Sequence, residues 1–141
     1  MALSISGDDA AKKALSGLSA KAKIAADRGV AAVAHAFEAE LKSNRVLQGV
    51  QNNGGRHIGP PGGFPNRRTG RLANSIQVEK VSGLAGFGYK VGPGMIYSRS
   101  LELGNPRWRS GVRYPFMGPT ANYIRPKAQQ IFTYTFRQNF R

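Results

Sequence analysis

Residues 59–76 read GPPGGFPNRRTGRLANSI, and this stretch separates two different kinds of sequence. Its glycines and prolines exclude a regular element before Thr69, because such clusters form turns and loops. Thr69 is typical of a helix cap and predicts a short helical turn through Leu72 and Ala73. Periodicity N-terminal to this stretch is helical, and C-terminal to it the sequence alternates as strands do.

The N-terminal side, residues 8–48, predicts one long helix, with Asp8 or Asp9 capping its start. Its apolar positions follow a three–four spacing: Ala11, Leu15, Leu18, Ala22, Ala25, Ala32, Ala36 and Phe37. Alanine dominates this stripe, so a packing partner can come close. Gly29 interrupts the helix and predicts a bend or a close contact there.

The C-terminal side begins with two alternating segments, Ser75–Val81 and Phe87–Val91. Segments so close in sequence are expected to pair as an antiparallel hairpin, with the turn at Ser82-Gly83. Tyr97–Leu103 predicts a short helix that stops at Gly104. Tyr114–Met117 predicts a short edge strand, since Pro115 excludes a central one.

The last segment, residues 119–141, predicts a second helix, because apolar residues recur every four positions: Ile124, Ala128, Phe132, Phe136 and Phe140. Pro126 is expected to kink this helix or to lie in its first turn. The whole chain, 1–141, is therefore predicted to be one α+β domain. It begins with the helix 8–48 and a basic Gly/Pro-rich arm, 43–71. Region 72–118 follows, with a short helix and a small, mainly antiparallel sheet of about three or four strands. The helix 119–141 ends the domain.

Charge divides the chain unevenly. The net charge is +14, yet residues 1–40 hold five basic and five acidic groups, so the remaining residues account for all of it. Those remaining residues contain only two acids, Glu79 and Glu102. Such a surface is expected to bind a polyanion or an acidic protein; the alternative is a solvated basic surface without a partner.

Two segments are predicted to contact partners because their arginines lack acidic neighbours and core-forming patterns. One is the basic arm (residues 43–71), expected to be mobile and to become ordered on a partner; the alternative is a solvated linker. The other is the basic loop (residues 105–113). The predicted contact residues are Arg45, Arg56, Arg67, Arg68, Arg71, Arg107, Trp108, Arg109 and Arg113.

Several function classes are disfavoured. The chain has no cysteine, no apolar run long enough to span a membrane, and no basic residue ahead of an apolar run at its start, so a protein made and used in the cytoplasm is expected. No carboxylate pair is evident for acid–base chemistry. His35 and His57 have no second ligand at metal spacing, and no glycine run fits a phosphate-binding loop. We therefore expect no enzymatic activity, no cofactor and no metal.

Nucleic-acid binding is the second interpretation of the sequence. Basic groups alternate with aromatic residues, which can hold phosphates and stack on bases. No established nucleic-acid motif is visible, however, and several of these aromatics are needed as apolar filling. A small basic module resembling a ribosomal protein remains the alternative.

Three motifs in order resemble the neck or tail-completion (head–tail joining, minor tail) proteins of long-tailed bacteriophages. They are RTGRLANSI (residues 68–76), YSRSLELG (residues 97–104) and PFMGPT (residues 115–120). The family pattern is roughly Thr-Gly-x-Leu-x-x-Ser-Ile, then Tyr-Ala-x-x-x-Glu-x-Gly, then Pro-Phe-x-x-Pro-Ala. The likeness covers about residues 59–128. The chain departs from it at Ser98 and Thr120, where alanine is usual, and in an expanded loop around Trp108.

The resemblance implies a structural virion protein at the head–tail junction, made in the host cytoplasm. Such proteins form homo-oligomeric rings and join the tail tube or tail terminator to the head–tail connector. Contact with packaged DNA is a secondary expectation. The resemblance implies no membrane and no small-molecule substrate. The motif residues expected to form the shared structure are Thr69, Gly70, Leu72, Ile76, Tyr97, Leu101, Glu102, Gly104, Pro115, Phe116 and Pro119.

Individual roles follow from the resemblance. Thr69 and Gly70 are expected to fix the turn before the first strand, and Leu72 and Ile76 to anchor it. Leu101, Leu103 and Phe116 are expected to pack the short helix and the following loop onto the sheet. Glu102 is expected to form an ion pair with an arginine of the same or an adjacent copy; the alternative is an isolated, exposed carboxylate.

Overall fold

The computed structural model describes residues 3–6, 20–43, 46–47, 62–65, 69–83, 86–108 and 112–141. In chain order the elements are β1 (Leu3–Ser6), α1 (Ala20–Leu41), α2 (Arg71–Asn74), β2 (Ile76–Gly83), β3 (Gly86–Pro93), α3 (Ser98–Leu103) and α4 (Met117–Asn139). A long N-terminal helix, an antiparallel sheet and a C-terminal helix confirm the predicted α+β class.

The sheet has the order β1-β3-β2, and both pairings are antiparallel. The predicted hairpin is confirmed, with Val78 opposite Val91. Ser82 and Gly83, predicted as its turn, belong to β2 instead, where they face Phe87 and Gly86. Side-chain alternation places Ile76, Tyr89 and Val91 in the core, while Gln77, Glu79 and Lys90 are exposed. One face of the hairpin is therefore buried and the other meets solvent.

Helix α1 packs against both the sheet and α4. Its buried residues are mostly small: Ala22, Ala25, Ala26, Gly29, Val30, Val33, Ala34, Phe37 and Leu41. At Gly29 the Phe132 ring of α4 comes so close that a Cβ would lie 2.6 Å from ring carbon Cδ2. The predicted close contact at Gly29 is confirmed, because only the missing side chain allows the ring to approach the helix backbone.

A polar contact fixes α1 on the sheet. Asp27 of α1 accepts hydrogen bonds from Lys80 Nζ at 2.7 Å and from the Tyr89 hydroxyl at 3.1 Å. The hydrogen bond to Asp27 raises the pKa of Lys80. Burial, reinforced by the hydrogen bond to Asp27, raises the pKa of Tyr89. Asp27 therefore ties β2 and β3 to the same point of the helix.

The predicted helix 8–48 needs correction at its C-terminal end; residues 8–19 lie outside the described part. Helix α1 ends at Leu41, and the amides of Val46 and Leu47 both donate to the Ser43 carbonyl. This turn buries the side chains of Val46 and Leu47 in the core. The helix ends because turning back gains apolar burial that a straight continuation would not provide.

The predicted edge strand at Tyr114–Met117 is wrong. Tyr114 donates its amide to the Leu101 carbonyl at 2.6 Å, and residues 112–116 have no regular structure. Helix α4 begins at Met117, not at residue 119, and continues across Pro126. Pro119 lies in the first turn, where helix amides have no intrahelical acceptor and its missing N–H costs nothing.

We predict that Gly29→Ala destabilises the fold by about 1 kcal/mol. Alanine favours the helix by about 1 kcal/mol, but overpacking against the Phe132 ring costs roughly 1–3 kcal/mol. Urea unfolding measures the change.

The control is a double-mutant cycle with Phe132→Leu, which removes the ring. In that background Gly29→Ala should be neutral or stabilising. Equal destabilisation in both backgrounds would show that the Gly29–Phe132 contact does not limit the packing.

Candidate interaction surface

Helix α3 contains the second motif and is amphipathic. Ser98 is buried and donates its hydroxyl to the Met95 carbonyl at 2.7 Å, while Leu101 packs against the core. Gly104 ends the helix with a φ of 87°, as predicted for a glycine stop. Tyr97 and Leu103 are exposed. The packing role predicted for Leu103 is wrong, because a residue two positions after the inward-facing Leu101 is rotated by about 200° around the helix.

Glu102 binds the start of α4. One carboxylate oxygen accepts from the amides of Phe116 at 2.7 Å and Met117 at 3.0 Å, and the other accepts from Gly118 at 2.9 Å. The first amides of a helix lack intrahelical acceptors, and the helix dipole favours a negative charge at this end. Glu102 therefore caps α4 across a separation of fourteen residues in sequence.

The structure changes part of what was expected of Glu102. Among the described residues it forms no ion pair with an arginine of its own chain, since its oxygens are directed at backbone amides. It is also half-buried rather than an isolated exposed carboxylate. Pairing with an adjacent copy stays a prediction. A side chain at Gly118 would lie 3.2 Å from a Glu102 oxygen, so glycine leaves room for the carboxylate.

The first motif forms the turn into the sheet. Gly70, buried and left-handed at a φ of 77°, occupies the N-cap position of α2. The cap predicted at Thr69 is thus one residue too early, because a left-handed cap favours glycine. The Thr69 hydroxyl instead accepts a long 3.4 Å bond from the Arg71 amide. Leu72 packs on the core and Ile76 is buried, as predicted.

Backbone hydrogen bonds connect the segments around these motifs. The Gly62 amide, in the basic arm, donates to the Arg113 carbonyl of the basic loop at 2.9 Å. The Gly94 amide donates to the Ser75 carbonyl, also at 2.9 Å. The two segments predicted to contact partners therefore meet at Gly62 and Arg113.

Four of the nine predicted contact residues are described. Arg71, Arg107 and Arg113 are exposed. Trp108 is half-buried and packs edge-to-face on Tyr114, with ring centroids 6.5 Å apart. The Trp108 ring therefore packs inside the basic loop, against Tyr114. The predictions that lie outside the described residues are Arg45, Arg56, Arg67, Arg68 and Arg109.

Three carboxylates in the described part, those of Asp27, Glu38 and Glu102, are engaged inside the molecule, whereas Glu79 is exposed. Asp27 binds Lys80 and Tyr89, and Glu102 binds backbone amides. Glu38 binds Lys42 Nζ at 2.6 Å and His35 Nδ1 at 3.1 Å. Burial acts to raise the pKa of Glu38, but these hydrogen bonds outweigh it and lower the pKa. The exposed arginines consequently make the electrostatic potential at the surface positive.

The described residues contain no cluster of three or more side chains suited to a metal ion, and none of their helices is long and apolar enough to cross a membrane. No known protein family model, curated protein or solved structure matches the chain.

Sequence reasoning missed the capping role of Glu102. The available signal was an almost solitary acid in a basic region, preceding a helix whose first residues are Met117, Gly118 and Pro119.

We predict that Glu102→Ala destabilises the fold by about 2 kcal/mol, because three amides lose a charged acceptor. Glu102→Gln should lie between wild type and Glu102→Ala, since one amide oxygen remains. Chemical denaturation measures both variants. Glu79→Ala removes the same charge from an exposed strand position and should change stability by under about 0.5 kcal/mol. Equal effects of Glu79→Ala and Glu102→Ala would contradict the capping role.

We predict that Thr120→Val stabilises the fold by about 1 kcal/mol. The Thr120 side chain is fully buried, and its hydroxyl has no hydrogen-bond partner among the residues that the structure describes. Valine keeps the shape and removes the unpaired hydroxyl, whose burial is unfavourable. Thermal unfolding measures the gain, with Thr135→Val, half-buried on the same helix, as the control. A lower melting temperature for Thr120→Val would indicate that the hydroxyl is satisfied.

Proposed function

We propose that this protein is a structural, non-enzymatic virion component of a phage head–tail junction. It forms a homo-oligomeric ring and joins the tail tube or tail terminator to the head–tail connector. It needs no cofactor, is made in the host cytoplasm and resides in the virion. We also propose that the sheet of the whole chain has about three or four strands.

One observation supports this proposal most: the second and third motifs form one bonded unit. Glu102 of YSRSLELG binds the amides of Phe116, Met117 and Gly118 in the third motif. The Tyr114 amide, just before that motif, donates to the Leu101 carbonyl. Glu102 and Phe116, which the phage family pattern shares with this chain, thus have a joint structural purpose, which makes an accidental likeness a poorer explanation of these two motifs.

The arrangement of charges supports an assembly role. Arg107 and Arg113 are exposed on one loop, and the basic arm lies against that loop at Gly62. Positive side chains on irregular segments suit docking on acidic faces of neighbouring proteins, where complementary charge speeds association and selects partners. Ring assembly repeats the same heterologous contact from copy to copy.

A second candidate is a nucleic-acid-binding module. The observation that favours it is the charge itself, sixteen basic groups against two acids in residues 41–141. This candidate expects salt-steep binding to DNA or RNA of any sequence and no specific protein neighbour.

The test is an affinity pull-down of the tagged protein from productively infected cells, with and without nuclease. We expect tail-tube, terminator or connector proteins to remain bound after nuclease treatment. Loss of every partner with nuclease would instead favour the nucleic-acid module and overturn the assembly proposal.

A matched pair of variants locates the contact. We expect the triple variant Arg71→Ser, Arg107→Ser, Arg113→Ser to fold but to lose its partners, since it removes three exposed guanidinium groups. The control, Lys21→Ser, Lys23→Ser, Lys90→Ser, removes the same charge from exposed positions on α1 and β3 and should keep them. Equal losses in both variants would show that net charge, and not these three arginines of the basic arm and basic loop, directs assembly.

A further inference from the structure

Helix α4 has an exposed outer face opposite the side that packs on α1. Five residues form one row along this face, spaced by three or four positions as on a single helix side: Pro126, Gln130, Tyr134, Arg137 and Arg141. Gln129, Thr133 and Gln138 flank the row, and together these residues line a shallow surface depression. We call this surface the outer face of α4.

The outer face of α4 carries basic groups and hydrogen-bond donors but no acidic side chain. Residues 117–141 contain four basic groups, among them Arg137 and Arg141, and no aspartate or glutamate. None of the ion pairs among the described residues includes Arg137 or Arg141. Every side chain that lines the depression, apart from Pro126, has a hydrogen-bond donor. The face therefore offers several neutral donors together with uncompensated positive charge.

This composition distinguishes a nucleic-acid backbone from an acidic protein as the ligand. Protein interfaces bury an apolar centre rich in aromatic residues, whereas this face has one aromatic, Tyr134, 68% exposed among glutamines and arginines. Arginine, glutamine, threonine and tyrosine side chains are the usual donors to phosphate oxygens, and DNA interfaces are correspondingly polar.

We propose that the outer face of α4 binds the sugar–phosphate backbone of duplex DNA without reading its sequence. The binding stands independently of where the protein is located. Identifying this DNA as the DNA that passes through the head–tail junction rests on the proposed function.

The fold holds this face in place before DNA arrives. Glu102 fixes the start of α4, and Phe132 packs on Gly29 near its middle. Near its end, Arg28 donates a hydrogen bond to the side chain of Asn139. Since α4 is already ordered by α1 and α3, binding DNA requires only the surface side chains to be immobilised, which lowers the entropic cost.

The test measures the affinity of the purified chain for a 30-base-pair duplex of mixed sequence by fluorescence anisotropy, over about 0.05–0.2 M salt. We expect Arg137→Gln/Arg141→Gln to weaken binding roughly 30-fold at about 0.15 M salt and to lower the slope of log affinity against log salt by about 1.8. Arg137→Lys/Arg141→Lys keeps both charges and should keep most of the slope.

The control is Lys90→Gln/Arg99→Gln, which removes two exposed charges from β3 and α3. We expect it to change the slope by less than about 0.5, because these positions make no phosphate contact. Equal changes in the two Gln variants would mean that net charge alone attracts DNA, and the proposal would fail. Tighter binding to poly-glutamate than to duplex DNA at the same salt would assign the face to an acidic protein.

All variants are first checked for an unchanged melting temperature. This test uses only purified protein and DNA. If DNA binding fails, the head–tail assembly proposal is unaffected, because the pull-down tests it separately.

Discussion

The hydrogen bonds from three backbone amides to Glu102 determine how the C-terminal half of the chain is arranged. They bring α3 to the first turn of α4, although the two are separated by a loop containing proline and arginine residues. A carboxylate at this point satisfies amides that have no helical acceptor and interacts favourably with the helix dipole. The start of α4 is therefore set by a side chain from another element and not by a cap within its own sequence.

From that fixed start, α4 runs along α1, and small residues determine how close the two helices come. Gly29 lets the Phe132 ring lie on the α1 backbone, and Phe132, Phe136 and Phe140 stack successively along α4 at 5.8 and 5.2 Å. On the opposite side of α1, Asp27 holds Lys80 and Tyr89 of the hairpin. Both long helices and the sheet thus share one core, centred on α1.

The same arrangement explains the distribution of charge. Asp27, Glu38 and Glu102 make internal contacts, with the hairpin, with neighbouring helix residues and with backbone amides, so these three carboxylates offset the exposed arginines little. Irregular segments and the outer face of α4 are left positive. The proposed assembly role uses the first of these surfaces, and the proposed DNA contact uses the second; the two surfaces are on different elements and can be altered separately.

The sequence by itself determined the elements whose signal is local. Apolar spacing specified both long helices, alternation specified the hairpin strands, and glycine specified the stop at Gly104 and the close contact at Gly29. Tertiary structure decided the features that depend on distant partners. The end of α1 at Leu41, the start of α4 at Met117, the partners of Glu102 and the exposure of Leu103 each depend on contacts between elements. Spacing along a chain specifies which face of an element is apolar, but not which distant amides a lone carboxylate will bind, because that choice is made only when the elements pack.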